Sequence, residues 1–306
     1  MSSKPGLMLL TTSMLIVAML LSGCNESDSS ASNDQGTGDF LSTTPASTSR
    51  DPSQVSTTGN GNNVEVHARW PHSVMECPTT EVMTTPSLTC AQYDAMVATI
   101  RGIYGGLDTT CTANFCPQAD WAGCVLRVAG HDLMDYANGE GGSDGCMDLS
   151  DPDNMGLPEC LHMGEEFGSS IFDAYKMHCS EVSLADFIVI AAEAVMTFSR
   201  EKVTEGDSSR GSLDFRSSFR FGRTTATSCT FAEGRLPNPE NSCTAVETTF
   251  VNRMGLSWRE ATALMGVHTI GRARPENSGY DGWWSDAVNS RMFNNNYYAS
   301  ILAKGW

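Results

Sequence analysis

Two short stretches of this sequence carry side chains that could do chemistry together. In Leu126-Arg127-Val128-Ala129-Gly130-His131-Asp132, Arg127 and His131 stand four residues apart, so on a helix they share one face a turn apart. A histidine beside a fixed cation on an apolar helix is a poised acid/base pair. The imidazole can take a proton from a peroxide, and the guanidinium can stabilise the charge that grows as the O–O bond lengthens. The second stretch, Ala263-Leu264-Met265-Gly266-Val267-His268-Thr269-Ile270-Gly271-Arg272, holds a single histidine near the C-terminal end of an apolar helix. A neutral imidazole in that setting can reach a haem iron, because its neighbours exclude water. Taken alone, each stretch also has a plainer reading: a half-exposed helix face for Arg127 and His131, a core histidine bonded to a main-chain carbonyl for His268.

The elements that must position these residues read as helices. Residues 90–104 place Tyr93, Met96, Val97 and Ile100 on one face, and residues 121–134 repeat Val125, Val128 and Ala129 at helical spacing. Ser183-Leu184-Ala185-Asp186 is a capping-box pattern opening an apolar helix to about residue 198, and Ser257-Trp258-Arg259-Glu260 opens another over 261–272. Residues 296–303 form a last helix, and Gly- and Pro-rich connections separate the helical stretches. No stretch alternates in the manner of a strand. The expected fold is mainly α, without internal repeats, over residues 64–306.

Composition bounds the partners and the compartment. Nineteen Lys and Arg stand against 36 Asp and Glu, a formal net charge of −17, which repels phosphate and argues against a nucleic-acid partner. Lys4 followed by the apolar run 7–21 and the small residues Ser22 and Gly23 has the anatomy of a secretory signal peptide over residues 1–24. Leu21-Ser22-Gly23-Cys24 also matches a lipobox, so membrane attachment, if any, would run through a lipidated Cys24. Residues 25–63 are rich in Ser, Thr, Gly, Asn and Asp and cannot bury enough apolar surface to order, which predicts a flexible tether. Of eleven cysteines, ten remain beside Cys24 (Cys77, Cys90, Cys111, Cys116, Cys124, Cys146, Cys160, Cys179, Cys229 and Cys243). In an oxidising compartment an even count predicts as many as five disulfides, with pairing left open. The paired C-x-x-C spacing of a zinc ribbon is absent.

Together, the two histidine stretches resemble the distal and proximal motifs of the plant, fungal and bacterial haem peroxidase superfamily, in the expected order. Further segments extend the likeness over residues 90–306. Asp151-Pro152-Asp153-Asn154-Met155-Gly156-Leu157 is similar to the segment whose Asn fixes the distal His, and Ser183-Leu184-Ala185-Asp186-Phe187 to the start of the central helix. Glu233-Gly234-Arg235-Leu236-Pro237 and Met254-Gly255-Leu256-Ser257 precede the proximal helix as in cytochrome c and ascorbate peroxidases. Asn277-Ser278-Gly279-Tyr280-Asp281-Gly282-Trp283-Trp284 and Phe293-Asn294-Asn295-Asn296-Tyr297-Tyr298 follow in order.

This resemblance implies a disulfide-stapled helical fold with haem b between distal and proximal halves. It implies His268 as the axial iron ligand, His131 as acid/base, Arg127 as the group assisting O–O cleavage, and Asn154 as acceptor for the second nitrogen of His131. Trp284 corresponds to an indole beside the axial His, carrying a radical in some members and only packing in others. Asp132, Gly142 and Asp144 resemble a distal calcium loop, which would bind Ca²⁺ through hard oxygens or stand as an ion-free Asx-rich turn. Cys146 occupies a place where many relatives have a Ser ligand. Thr269, Ser285 and Asn294 are candidates for a second, proximal cation site, with Asn294 where an Asp is usual.

Three departures qualify the likeness. Gly130 stands where the superfamily carries a Trp or Phe over the haem. Asn277 stands where ascorbate peroxidases carry a substrate-binding Arg. The Asp that usually bonds the proximal imidazole has no counterpart up to Trp306, so the domain reads as shortened at its C-terminus. The implied function is reduction of hydrogen peroxide through ferryl haem at the expense of a phenol, Mn²⁺ or a small redox protein, in the response to oxidative stress. A catalytically weak haem carrier, sensor or electron-transfer protein is the alternative.

Overall fold

The computed structural model of the chain describes residues 87–303, apart from 113–114, 150, 162–169, 206 and 227–233. The expected signal peptide, the tether, Cys24, Cys77, Cys229, Glu233 and Trp306 lie outside the described residues.

Helix α1 (Cys90–Gly106) begins with a full capping box between Thr89 and Gln92. Helix α2 (Pro117–Met134) starts four residues before the apolar periodicity does, because Pro117 takes the first helical position, where its missing N–H costs nothing. A short 3-10 turn (Pro152–Asn154) leads into α3 (Leu157–Leu161), and α4 (Ile171–Lys176) follows. The central helix is α5 (Leu184–Thr204), whose first turn is capped by the Ser183 hydroxyl accepting from the Asp186 N–H at 3.1 Å. It runs six residues beyond the sequence expectation. Its continuation past Phe198 buries Ser199 and Val203, and the Ser199 hydroxyl donates to the Val195 carbonyl.

Both α1 and α2 pack against α5. Tyr93, Met96 and Ile100 of α1 and Trp121, Val125 and Val128 of α2 turn inward at helical spacing and are buried. Burial of a side chain such as Met96 or Ile100 contributes roughly 1.5–3 kcal/mol. Among the buried acids, Glu193 of α5 accepts a hydrogen bond from the Tyr93 hydroxyl at 3.0 Å, and burial pushes its carboxyl up to about 8, so it is neutral at pH 7.

Beyond α5 come α6 (Ser242–Val246), a π-helical segment (Glu247–Arg253) and α7 (Trp258–Met265), which opens with a capping box between Ser257 and Glu260. The sequence pattern suggests α7 should continue to 272. Instead the chain tightens into a 3-10 turn over Gly266–Thr269. The turn is fastened from outside: Gly266 lies against Tyr298, and the Thr269 hydroxyl donates to the Asn294 carbonyl at 2.9 Å. The chain then forms β1 (Arg272–Ala273), α8 (Pro275–Ser278) and β2 (Gly282–Trp283). The two strands pair antiparallel, with Arg272 opposite Trp283. Helix α9 (Asn296–Ala303) matches the sequence expectation.

Two disulfides join described residues, Cys111–Cys116 and Cys124–Cys160, the second fastening α2 to α3. Cys146 and Cys179 are disulfide-bonded as well. Cys243 is an exposed free thiol, so the ten cysteines do not form five pairs.

Distal and proximal halves meet where α2 touches β1. A Cβ on Gly123 would lie 3.0 Å from the Gly271 Cα, so the two backbones approach as closely as glycine allows. Beside them Arg272 makes a two-pronged ion pair with Asp120, Nε to Oδ1 at 2.8 Å and Nη2 to Oδ2 at 2.7 Å, with both side chains 4% exposed. The Arg272 guanidinium also lies 4.9 Å from the centroid of the Trp283 ring. Asp120→Ala strands a buried guanidinium. It should lower the unfolding free energy by about 3–5 kcal/mol, measured by urea titration.

Candidate active site

A cavity of about 670 Å³ lies between α2 and the end of α7, and Arg127, His131, His268 and Trp284 all face it. Its distal side is built by a chain of directed hydrogen bonds. The Asn154 amide donates through Nδ2 to the Asp148 carbonyl at 2.8 Å, which turns its Oδ1 toward His131. The His131 Nδ1–H donates to that oxygen at 2.8 Å, leaving Nε2 as a lone-pair acceptor, and Arg127 Nε donates to Nε2 at 3.2 Å. Arg127 is held in turn by the carbonyls on either side of Asn154: Nη2 donates to Asp153 at 2.7 Å and Nη1 to Met155. One short segment therefore aims both side chains.

The electrostatics agree with that bonding. Burial, and then the Arg127 charge, lower the His131 pKa from 6.5 to about 3, while the bond to Asn154 opposes the shift. His131 is a neutral base at neutral pH. Desolvation also lowers the Arg127 pKa, with Asp153 and Glu159 opposing it.

On the proximal side His268 sits in the 3-10 turn after α7. Its Nδ1–H donates to the Met265 carbonyl at 3.0 Å, which fixes the tautomer and leaves Nε2 unprotonated. Burial lowers its pKa, so the ring is neutral. The plain reading and the ligand reading of His268 thus coexist, since a carbonyl-bonded core histidine also presents a ligand nitrogen. The Trp284 ring lies 5.8 Å from His268 at 76°, edge-on, and the ring stacked on His268 is Tyr297, at 5.2 Å and 28°. Stacking was expected of Trp284. The sequence reading missed Tyr297, whose only signal is its place at the start of α9.

The calcium-loop candidates form a cluster of acids. Asp132 is fully buried and accepts the Gly145 N–H at 3.0 and 3.1 Å, and Asp144 Oδ1 accepts the Cys146 N–H at 3.0 Å. The Gly142 N–H donates to Asp135 Oδ1 at 2.6 Å, adding a third carboxylate that the sequence did not single out. Burial raises the Asp132 pKa well above the ordinary value, with Asp144 and Asp135 adding to the shift, and burial carries Asp135 to about 7 and Asp144 to about 6. The Cys146 sulfur is committed to a disulfide.

Thr269 and Ser285, candidates for a second cation site, are fully buried beside one another. The Ser285 hydroxyl donates to the Thr269 carbonyl at 2.9 Å, and Asn294 donates to Asn289. Among the described residues, no group of three His, Cys, Asp or Glu side chains is arranged to hold a metal ion. Asn277 lines the cavity and packs on Gly156, whose φ of +84° and lack of a Cβ permit the contact.

Comparison with known proteins adds independent findings. A family model described as Peroxidase matches residues 107–305. The chain is 32% identical over 184 residues to L-ascorbate peroxidase 5, peroxisomal, of Arabidopsis thaliana, covering 58% of this chain and 57% of the relative. It is 29% identical over 209 residues to the mitochondrial cytochrome c peroxidase of Candida albicans, covering 65% and 51%. The chain thus spans about half the length of the relatives it matches.

The distal hydrogen-bond chain has a measurable signature. Because His131 titrates below 6.5 in the folded state, the unfolded chain takes up the proton first. Its stabilising contribution is therefore complete above pH 6.5 and is lost as pH falls toward about 3. Ring-nitrogen NMR should report a neutral Nδ1–H imidazole at about pH 5. In Asn154→Ala the Nδ1–H loses its acceptor while Arg127 still donates to Nε2, and urea titration should show a loss of about 1–3 kcal/mol from buried groups left without partners.

Proposed function

The chain belongs to the haem peroxidase superfamily, and from that premise we propose that it reduces hydrogen peroxide and oxidises a separate one-electron donor at the cavity walled by Arg127, His131 and His268. One observation carries the reading: two neutral imidazoles with opposite tasks face one cavity, each with its Nδ1–H committed to an oxygen and its Nε2 left as a lone pair.

The residues present fit a haem. His268 Nε2 is the nitrogen to ligate the iron, and the Met265 carbonyl raises its basicity. Trp284 and Tyr297 flank that ring. Haem supplies the redox chemistry, and the protein supplies placement and charge. His131 Nε2 takes the proton from the inner peroxide oxygen and returns it to the outer one. Arg127, anchored to the Asp153 and Met155 carbonyls, holds its positive charge where negative charge develops. Arg127 and Asn154 together favour turnover over a carrier role, since haem storage needs neither.

Two relatives are named for ascorbate and cytochrome c. In this chain the acidic balance of −17 accords with a phenol, Mn²⁺ or a small basic redox protein as donor. The disulfides support an oxidising, extracytoplasmic location, with residues 25–63 as a tether and Cys24 as an anchor point. A Ca²⁺ role for the loop of Asp132, Gly142 and Asp144 rests on its resemblance to a distal calcium loop, since no three acids among the described residues are arranged to hold a metal ion.

Reconstitution with haem tests the proposal. The parent should develop a Soret band that shifts on adding peroxide. His268→Ala should fail to retain haem. His131→Ala should retain haem and react with peroxide about 10²–10⁴-fold more slowly, and Arg127→Leu about 10²–10³-fold. A His131→Ala protein as fast as the parent would remove the acid/base role. A Soret band indifferent to peroxide in the parent would favour the carrier.

A further inference from the structure

Among the described residues, five buried side-chain polar atoms find no hydrogen-bond partner. Two of them, Tyr104 Oη and Arg291 Nε, belong to one neighbourhood outside the cavity, and neither residue lines it. Tyr104 stands near the end of α1, and Arg291 closes a 3-10 turn (Asn289–Arg291) between β2 and α9. Hydrogen bonds to consecutive stretches of main chain bring them together. Gln118 of α2 donates through Nε2 to the Tyr104 carbonyl at 2.9 Å and through its N–H to the Asp108 carbonyl at 3.3 Å. Arg291 Nη1 donates to the next carbonyl along, that of Thr109, at 2.6 Å. Lys202 of α5 completes the group. Its Nζ lies 5.0 Å from the centroid of the Tyr104 ring and donates to Gln118 Oε1.

The group is rich in donors and positively charged. Neither Lys202 nor Arg291 pairs with a carboxylate among the described residues. Glu201 is held at both oxygens by Arg101, each at 2.7 Å, which leaves Glu205 to oppose Lys202. Two cations against one acid leave a balance of one positive charge. Burial, and then the Arg291 charge, bring the Lys202 pKa down to about 8, while burial keeps the Tyr104 phenol protonated as a donor. Tyr104 is 4% exposed, so its hydroxyl cannot turn to bulk water for an acceptor. Buried donors are rarely left orphaned in a folded protein, and two orphans side by side beside a cation mark a place for an acceptor.

We propose that Tyr104 Oη, Arg291 Nε and Lys202 Nζ form a binding site for a small monovalent anion, a halide such as chloride. The donor count decides between a halide and an oxyanion. A halide is a sphere of one charge that three donors can satisfy, and its charge matches the local excess. Phosphate or sulfate would bring four oxygens, most of them left without donors in a buried place. The Lys202 arm is half-buried and flexible, and it opens to admit the ion and closes over it. The bound anion ties the ends of α1 and α5 to the turn that precedes α9. This site is separate from the one that handles peroxide, and its existence does not depend on the proposed function.

The test uses the full chain, moved from sodium methanesulfonate to sodium chloride at constant ionic strength. The thermal midpoint of the parent should rise by roughly 3–6 °C for each tenfold increase of chloride above half-saturation. That dependence should vanish in Tyr104→Phe and in Arg291→Gln. In methanesulfonate Tyr104→Phe should be at least as stable as the parent, because it removes a hydroxyl that has no partner. This last comparison separates a lost ligand from a damaged core. Crystals grown in bromide should show an anomalous peak within hydrogen-bonding distance of Tyr104 Oη and Arg291 Nε. A parent midpoint indifferent to chloride, an equal chloride dependence in Tyr104→Phe, or no bromide at these atoms would overturn the proposal.

Discussion

The separation of the two histidines depends on how closely α2 approaches the chain just after His268. Gly123 and Gly271 let the backbones touch, and the buried Asp120–Arg272 pair fixes their register there. His131 lies two turns along α2 from Gly123, and His268 three residues before Gly271, so both rings are cantilevered from one point of contact. A side chain at either glycine would pry the cavity open from its base. A buried ion pair gains little net energy over apolar packing, but it tolerates no other geometry once both charges are desolvated. Its value here lies in positional definition.

From that contact the site is made directional by hydrogen bonds that end on main-chain carbonyls. Asp148 orients Asn154, which orients His131, while Asp153 and Met155 hold Arg127 and Met265 holds His268. The Asp153, Met155 and Met265 carbonyls lie in or beside a short 3-10 turn or at a helix end, where fewer helical donors compete for them. The Asp148 carbonyl closes a turn with the Asp151 N–H and receives Asn154 as well. The disulfide from Cys124 to Cys160 braces the same region, joining α2 to α3 directly after the turn that bears Asn154.

The same economy of burial leaves charge in unusual states. Glu193 is kept protonated at neutral pH in the core against Tyr93, and three aspartates crowd the loop behind His131 with raised pKa values. His131 and His268 are kept neutral by the same desolvation. Burial acts in opposite directions on acids and bases, and in both cases it favours the uncharged form.

The sequence by itself determined the longer helices α1, α2 and α5, the start of α7 and α9, and the identity of the chemical groups. Helical periodicity and the caps at Ser183 and Ser257 are local, and a four-residue spacing puts Arg127 and His131 on one face in any helix that contains them. Asn154 became legible only through resemblance, since nothing local links it to a ring 23 residues away. The tertiary structure alone decided the rest. It stopped α7 at Met265, because Tyr298 and Asn294 pull the chain into a tighter turn. It placed Tyr297 rather than Trp284 face-on to His268, paired Asp120 with Arg272 across 152 residues, and supplied carbonyl acceptors that every residue type possesses alike. Such features depend on which distant segments come to rest against each other, and side-chain identity carries no mark of that until the core has packed.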